Sequence, residues 1–231
     1  MVQDLDGLAV AFDIDGTLVQ ILPEEELLFG RACAEVLGRA VPRLSWSEFP
    51  VVTDAGIVQS VWAQVAGRAP IPGEIEAVRD RHCAGLEALL RQDPGRIQAI
   101  PGARAILLRL RSRAGWATGN SAPAARLKLA AAGLLDLDLP LASAEDGPER
   151  TAIVLRCGQL LGLRPGQRLV SVGDGTWDVQ AARDLGLPFV GIASVPGRAE
   201  RLRAAGASAI LPDLSDLGAV LRALRTAPVP A

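Results

Sequence analysis

Short apolar runs recur along the chain, and the two clearest end at a turn that contains aspartate and glycine. The runs span residues 8–12, 169–172 and 189–193, and weaker ones span 114–117 and 207–211. A run without alternating polar positions is typical of a strand that is buried on both faces of a parallel sheet. We therefore predict strands in the first three segments and treat the other two as candidate strands.

Apolar positions with helical spacing lie between these runs. They comprise Ile106, Leu107 and Leu110, then Leu127, Ala130, Ala131 and Leu134, then Ile153, Val154, Cys157, Leu160 and Leu161. Strands that alternate with helices predict an α/β fold with a doubly wound parallel sheet. In such a sheet, ligands bind at the carboxyl ends of the strands.

The stretch from residue 21 to residue 100 breaks this alternation. It contains three amphipathic stripes and no convincing strand; the stripes begin at Leu28, Ile57 and Ile75. We therefore predict an all-helical cap subdomain over residues 21–100, inserted into an α/β core of residues 1–20 and 101–231. The length of 231 residues agrees with this division, since roughly 150 residues per domain would give about one and a half domains.

Charge and composition exclude several classes of function. The chain has 24 Lys and Arg against 26 Asp and Glu, a net charge of -2, so it has no bulk attraction for nucleic acid or for an anionic membrane. Lys128 is the only lysine and His82 the only histidine. A Walker-type phosphate loop needs Gly-Lys-Ser/Thr, which Lys128 does not provide. Zinc sites of the His-Glu-x-x-His type, Ser-His-Asp triads and Cys-His dyads would all have to share His82.

The cysteines and the N-terminus predict a cytoplasmic protein. The three cysteines are far apart and not in Cys-x-x-Cys spacing, which suits free thiols in a reducing compartment. Residues 1–6 are acidic where a signal peptide would be basic, and no apolar run approaches the roughly 18 residues of a membrane-spanning helix.

Four carboxylates follow two of the predicted strands. Asp13 and Asp15 come after the first run, and Asp174 and Asp178 follow the run at 169–172. Carboxylates gathered at one sheet edge would repel one another unless a hard cation lay among them, and oxygen ligands favour Mg2+. A single such aspartate is more often a turn or helix-cap residue, but two clusters of the same form favour a metal site.

Three motifs resemble those of the haloacid dehalogenase superfamily. Asp13-Ile14-Asp15-Gly16-Thr17 is similar to its first motif, Asp-x-Asp-Gly-Thr, and Thr118-Gly119-Asn120 resembles its second. The segment from Gly173 to Asp178 resembles the last, Gly-Asp-x-x-x-Asp. The resemblance covers the core from Leu8 to about Leu211. It implies a Rossmann-like core with a helical cap, as in the phosphoglycolate phosphatase-like members.

The resemblance also implies a role for each matching residue. Asp13 would be the nucleophile that forms an aspartyl phosphate, and Asp15 would be the general acid and base. Mg2+ would be held by Asp13, the backbone carbonyl of Asp15 and Asp174, with Asp178 as a direct or water-mediated ligand. Thr118, Gly119 and Asn120 would bind phosphate oxygens. A helix cap is the alternative for Asn120.

The family also places a basic residue, most often lysine, beside the nucleophile. Lys128 lies within the helix after Thr118, so we expect Arg150 to take this part, because arginine stays charged and can grip phosphate with two donors. A solvated surface arginine is the competing interpretation of Arg150.

The expected activity is Mg2+-dependent hydrolysis of a small phosphorylated metabolite. Asp15 argues against a halogen-displacing enzyme, and a cap without lysine argues against a phosphonate-cleaving one. A sugar-phosphate mutase and a non-catalytic relative that binds a phosphorylated ligand stay open. The sequence identifies neither the substrate nor the oligomeric state.

Overall fold

The computed structural model of the protein describes residues 7–164 and 166–231. Residues 1–6, on which the expectation of no signal peptide depends, lie outside the described residues. In the described part of the chain, no helix is both long enough and apolar enough to cross a membrane.

Six parallel strands form one sheet at the centre of the described chain. They are β1 (Leu8–Phe12), β2 (Ala114–Ala117), β3 (Leu141–Ala142), β4 (Arg168–Gly173), β5 (Phe189–Ile192) and β6 (Ile210–Leu211). Their order is β3-β2-β1-β4-β5-β6, and β1 pairs with both β2 and β4. The strand order therefore reverses direction at β1 and β4, the position where this type of sheet places its ligands.

Helices cover both faces of the sheet. They are α4 (Ala103–Leu110), α5 (Ala122–Ala131), α6 (Arg150–Leu160), α7 (Thr176–Asp184), α8 (Arg198–Ala204) and α9 (Leu217–Thr226). Val10 and Phe12 pack on one face with Ile106, whereas Ala9 and Ala11 pack on the other with Ile153. This two-sided burial explains why the strands carry uninterrupted apolar runs and confirms the doubly wound α/β fold.

Three further helices, α1 (Glu25–Leu37), α2 (Asp54–Ala66) and α3 (Glu74–Gln92), lie between β1 and α4. No strand of the sheet occurs in residues 25–92, all of which are described. Phe29, Val58 and Trp62 lie in a small apolar core of this helical insert. The chain enters and leaves the insert through neighbouring segments: Val19 and Ala99 form an antiparallel bridge. The predicted boundaries of the subdomain, residues 21 and 100, stay a prediction.

Two sequence-based expectations differ from the structure in detail. Strand β3 contains only two residues, Leu141 and Ala142, too few to produce a recognisable apolar run. Of the stripe predicted for α5, Leu127, Ala131 and Leu134 pack in or against the core, whereas Ala130 is exposed. The buried face also contains Ala124, Ala125, Lys128 and Leu129, and a pattern that scores lysine as polar does not include Lys128 in it.

Candidate active site

A cavity of about 460 Å3 lies over the carboxyl ends of the central strands. Its walls combine the loops after β1, β2 and β4 with parts of the helical insert. The predicted site residues Asp13, Asp15, Thr118, Gly119, Asn120, Arg150 and Asp174 all line it. From the insert it is lined by Glu25, Trp46 and Thr53, among others. The cavity therefore collects residues far apart in sequence at the switch point of the sheet.

Three of the predicted metal ligands form a compact group. Asp13, Asp174 and Asp178 are buried, and each offers a carboxylate oxygen within 4.8 Å of the others. Asp13 and Asp174 directly follow the paired strands β1 and β4, and Asp178 lies in the first turn of α7. Three carboxylates of this kind fit the preference of Mg2+ for hard oxygen ligands. The carboxylate of Asp15 is not part of this group.

Arg150 lies between two of these acids. Its Nε donates to Asp178 Oδ1 at 2.7 Å, and its Nη2 donates to Asp13 Oδ1. The hydroxyl of Thr17 donates to the other Asp13 oxygen at 3.1 Å. Arg150 is buried, so the structure places it against the carboxylate of Asp13 and not on the solvated surface.

The pKa of Asp13 reflects these surroundings. Burial, which is the largest cause, and the negative charges of Asp178 and Asp15 together raise it to about 7 against the opposing charge of Arg150. A second cation near Asp13 would also lower this pKa, as Arg150 does, and would so favour the ionised carboxylate.

Asp15 points away from the three-acid group and is held through a single oxygen. Its Oδ2 accepts hydrogen bonds from Asn120 Nδ2 at 2.5 Å and from Lys128 Nζ at 2.9 Å. Within the described residues, its Oδ1 has no hydrogen-bond partner. The side chain as a whole is 24% exposed and lines the cavity, whereas Oδ1 itself is buried, so Asp15 has one oxygen that is fixed by two donors and one buried oxygen whose hydrogen-bonding capacity is unused.

The segment after β2 forms another wall. Thr118 is buried, and its hydroxyl oxygen accepts from the backbone N–H of Asn120 at 3.2 Å and from the Asn120 side chain at 2.9 Å. A Cβ on Gly119 would lie 3.3 Å from the Cα of Thr53 and 3.2 Å from the guanidinium of Arg150. Only glycine allows the insert and Arg150 to approach the backbone this closely.

A model of the haloacid dehalogenase-like hydrolases matches residues 8–186, which is more than half of the chain. The chain belongs to this family. The match includes the three motifs and the whole helical insert.

Individual relatives agree with the family assignment. This haloacid dehalogenase-like hydrolase is 29% identical to a phosphoglycolate phosphatase from Cereibacter sphaeroides over 78% of this chain and 82% of the relative. A hydrolase from Pseudomonas syringae has a similar fold, with a TM-score of 0.72, 22% identity and coverage of 93% and 98% of the two chains. CbbY from Rhodobacter sphaeroides, solved in complex with phosphate, gives a TM-score of 0.65, 24% identity and coverage of 91% and 96%.

Two kinds of site residue in this hydrolase escape the sequence analysis. Lys128 was expected to lie outside the site, yet its side chain reaches Asp15 from α5 and also contacts Glu25 at the start of α1. Arg198 forms an ion pair with Asp174, and Arg201 lines the same cavity. The only sequence signal that could have placed Lys128 in the site is its position on a helix, four residues after the small residue Ala124. Helix α8, which carries Arg198 and Arg201, has no recognisable motif.

Proposed function

We propose that the protein is a Mg2+-dependent phosphatase that hydrolyses a small phosphorylated metabolite through an aspartyl-phosphate intermediate on Asp13. The arrangement that carries this proposal is a buried Asp13 paired with Arg150, with the carboxylate of Asp15, one oxygen of which has no hydrogen-bond partner among the described residues, at the same cavity. A nucleophile and an acid on opposite sides of one bound phosphate are what phosphoryl transfer to a carboxylate requires.

In the first half of the reaction, an oxygen of Asp13 attacks phosphorus while the bond from phosphorus to the leaving oxygen breaks. Asp15, in its protonated form, gives its proton to that leaving oxygen. In the second half, Asp15 takes a proton from water, the water oxygen bonds to phosphorus, and the bond to Asp13 breaks. Inorganic phosphate leaves, and both aspartates return to their starting state.

The remaining predicted residues would hold the phosphate. Arg150 would offset the negative charge that gathers as the phosphate approaches Asp13. The hydroxyl of Thr118, the backbone of Gly119 and the side chain of Asn120 border the cavity and would bind phosphate oxygens.

Mg2+ would be held by Asp13, Asp174 and the backbone carbonyl of Asp15. Asp178 accepts hydrogen bonds from Arg150 Nε and from the backbone N–H of Gly175 and would be a direct or water-mediated ligand. When bound, the ion would neutralise phosphate charge and orient the ester for attack.

The size and closure of the cavity support a small substrate. A volume of about 460 Å3 with walls from the insert suits a metabolite and leaves little room for a macromolecule. The phosphoglycolate phosphatase relative makes phosphoglycolate the first ester to test.

The test measures phosphate release from phosphoglycolate, a set of sugar phosphates and p-nitrophenyl phosphate, with Mg2+ and with EDTA. We expect turnover by the wild type only with Mg2+, and a loss of at least about 1000-fold in Asp13→Asn, because the nucleophile is removed. Asp80→Asn is the matched control, since the Asp80 side chain is 69% exposed on α3; it should retain wild-type turnover.

Three outcomes would contradict the proposal. Unchanged turnover in Asp13→Asn would contradict the mechanism. An isomerised sugar phosphate in place of free phosphate would identify a mutase. Ligands that raise the melting temperature without any phosphate release would identify a non-catalytic binding protein.

A further inference from the structure

The side chain of Lys128 is buried and uses all of its donors. Its Nζ donates to Asp15 Oδ2 at 2.9 Å, to Asn120 Oδ1 at 2.8 Å and to Glu25 Oε1. An ammonium group has three N–H bonds and no acceptor, so these contacts satisfy it completely. The three acceptors come from three separate parts of the chain: the loop after β1, the loop after β2 and the first residue of α1.

We propose that Lys128 is a positioning residue for Asp15, which holds the carboxylate through one oxygen and so fixes its orientation for proton transfer to the leaving oxygen of the substrate. This inference rests on the proposed function, because it concerns the acid of the same reaction. It assigns a specific task to the only lysine of the chain, for which the sequence analysis found none.

The hydrogen bonds around Asp15 carry the inference. Oδ2 receives donors from both Lys128 and Asn120, and Asn120 is itself held by Lys128 through its amide oxygen. The three side chains thus form a closed ring of hydrogen bonds that prevents the carboxylate from rotating. Oδ1 is buried and stays without a partner among the described residues, and because Oδ2 already accepts two hydrogen bonds, a proton carried by Asp15 would lie on Oδ1.

The two basic side chains, Arg150 and Lys128, contact different acids. Arg150 contacts Asp13 and Asp178, whereas the hydrogen bonds of Lys128 go to Asp15, Asn120 and Glu25. Lys128 is therefore placed to act on the acid and Arg150 on the nucleophile. Glu25 contributes a further opposite charge and a third acceptor to Lys128 from the helical insert.

A misplaced acid has a recognisable kinetic effect. Proton transfer from Asp15 to the leaving oxygen accelerates the departure of an alkoxide far more than that of a nitrophenolate. A nitrophenolate leaves readily without a proton. A defect in the position of Asp15 should therefore slow alkyl phosphates and spare p-nitrophenyl phosphate. A general loss of folded protein would slow both esters equally.

The experiment compares kcat/KM of Lys128→Met for phosphoglycolate and for p-nitrophenyl phosphate. The parameter kcat/KM reports the steps up to and including the first P–O cleavage, in which the acid gives its proton. We expect a loss of about 100-fold or more for phosphoglycolate, since positioned acids contribute about 100- to 10,000-fold, and a loss of less than about fivefold for the nitrophenyl ester. Asp15→Asn should show the same selectivity.

Glu25→Gln is the matched control. It removes the charge opposite Lys128 but keeps an oxygen that can accept its third hydrogen bond. Any loss should be equal for the two esters, so that their kcat/KM ratio stays within about twofold of the wild type. Lys128→Gln, whose amide can still donate to Glu25, is the second variant if Lys128→Met does not fold.

The outcomes separate this inference from the proposed function. Equal losses on both esters in a folded Lys128 variant would overturn the positioning role while the phosphatase function stands. Failure of both Lys128 variants to fold would also overturn it and make Lys128 a folding residue. Absence of turnover by the wild-type protein on either ester would overturn the proposed function, and the positioning role with it.

Discussion

Among single residues, Arg150 shows how a charged side chain becomes buried without loss of stability. It lies at the start of α6 and reaches across to two carboxylates, Asp13 and Asp178. A buried guanidinium is tolerated only when its charge is paired and its donors are used. The same contacts that satisfy Arg150 hold Asp13 in the cavity, so structure and proposed chemistry depend on one residue.

We predict that Arg150→Ala lowers kcat/KM by about 100- to 1000-fold, the usual cost of one preorganised charged donor. Arg150→Lys should lose less, because it keeps the charge but cannot contact both carboxylates as a planar fork. Steady-state kinetics with Mg2+ measure the loss, and thermal melting confirms that each variant is folded at the assay temperature.

The control for this prediction is Arg156→Ala on the same helix. The Arg156 side chain is 45% exposed and pairs with Asp146 at 3.2 Å, away from Asp13. Its variant should stay within about twofold of wild-type activity. Wild-type kcat/KM in Arg150→Ala would show that the charge of Arg150 is not used in the reaction.

Site residues that directly follow a strand could be predicted from the sequence. Asp13, Thr118 and Asp174 each follow an apolar run, and parallel strands bring their carboxyl ends to one edge. Glu25, Lys128 and Arg198 could not be predicted in this way, because helices carry them into the cavity. Their positions depend on how those helices pack, and a local pattern contains no information about that.

At the level of elements, the helices of the insert differ in how they use glycine. Gly30 lies inside α1, and a Cβ there would meet the Leu44 side chain at 3.5 Å, an ordinary contact. Gly56 lies in the first turn of α2, and a Cβ there would lie 2.9 Å from the carbonyl oxygen of Val51. Gly30 can therefore be replaced by alanine without a clash, whereas Gly56 is required because the loop before α2 approaches it closely.

We therefore predict opposite effects of the same substitution on the free energy of unfolding. Gly30→Ala should raise it by about 0.5–1 kcal/mol, the helix-interior difference between alanine and glycine. Gly56→Ala should lower it, because the loop at Val51 must move. Urea unfolding of the two variants measures both values, and stabilisation by Gly56→Ala would contradict the packing described for α2.

The existence of most elements could be predicted from the sequence, and the exceptions have physical causes. Strand β1 was predicted with its observed bounds, and the apolar positions from Ile153 to Leu160 lie on α6. Strand β3 was not predicted because two residues carry no period. The buried face of α5 was predicted only in part, because Lys128 lies on it, neutralised by partners that are distant in sequence.

For the molecule as a whole, the single histidine makes one contribution of known sign to the pH dependence of stability. His82 is buried in α3, its ring lies 5.0 Å from that of Phe29, and neither ring nitrogen has a hydrogen-bond partner among the described residues. Burial, together with the nearby charge of Lys128, lowers the pKa of His82 to about 3. The unfolded chain has a histidine pKa of about 6.5, so it binds a proton at pH values where His82 of the folded chain stays neutral.

We predict that the wild type loses stability relative to His82→Leu as the pH falls below 6.5. Between about pH 6 and pH 4 the difference in the free energy of unfolding should change by about 1.4 kcal/mol per pH unit in favour of the variant. Urea unfolding at pH 7, 6 and 5 tests this. Parallel pH curves for the two proteins would show that His82 is protonated in the folded state.

The paired segments at the base of the insert affect how the length of the insert can vary during evolution. The backbone N–H of Gln20 donates to the carbonyl of Gln98, and that of Ile100 donates to the carbonyl of Leu18, both at 2.8 Å. Because the two crossings are adjacent, the sheet has to close only a short gap, whatever the length of chain between them. Closing a longer loop costs little, about 0.6 kcal/mol for each doubling of length. The insert can therefore gain or lose length at little cost in closure entropy, while the strands that hold the aspartates stay unchanged.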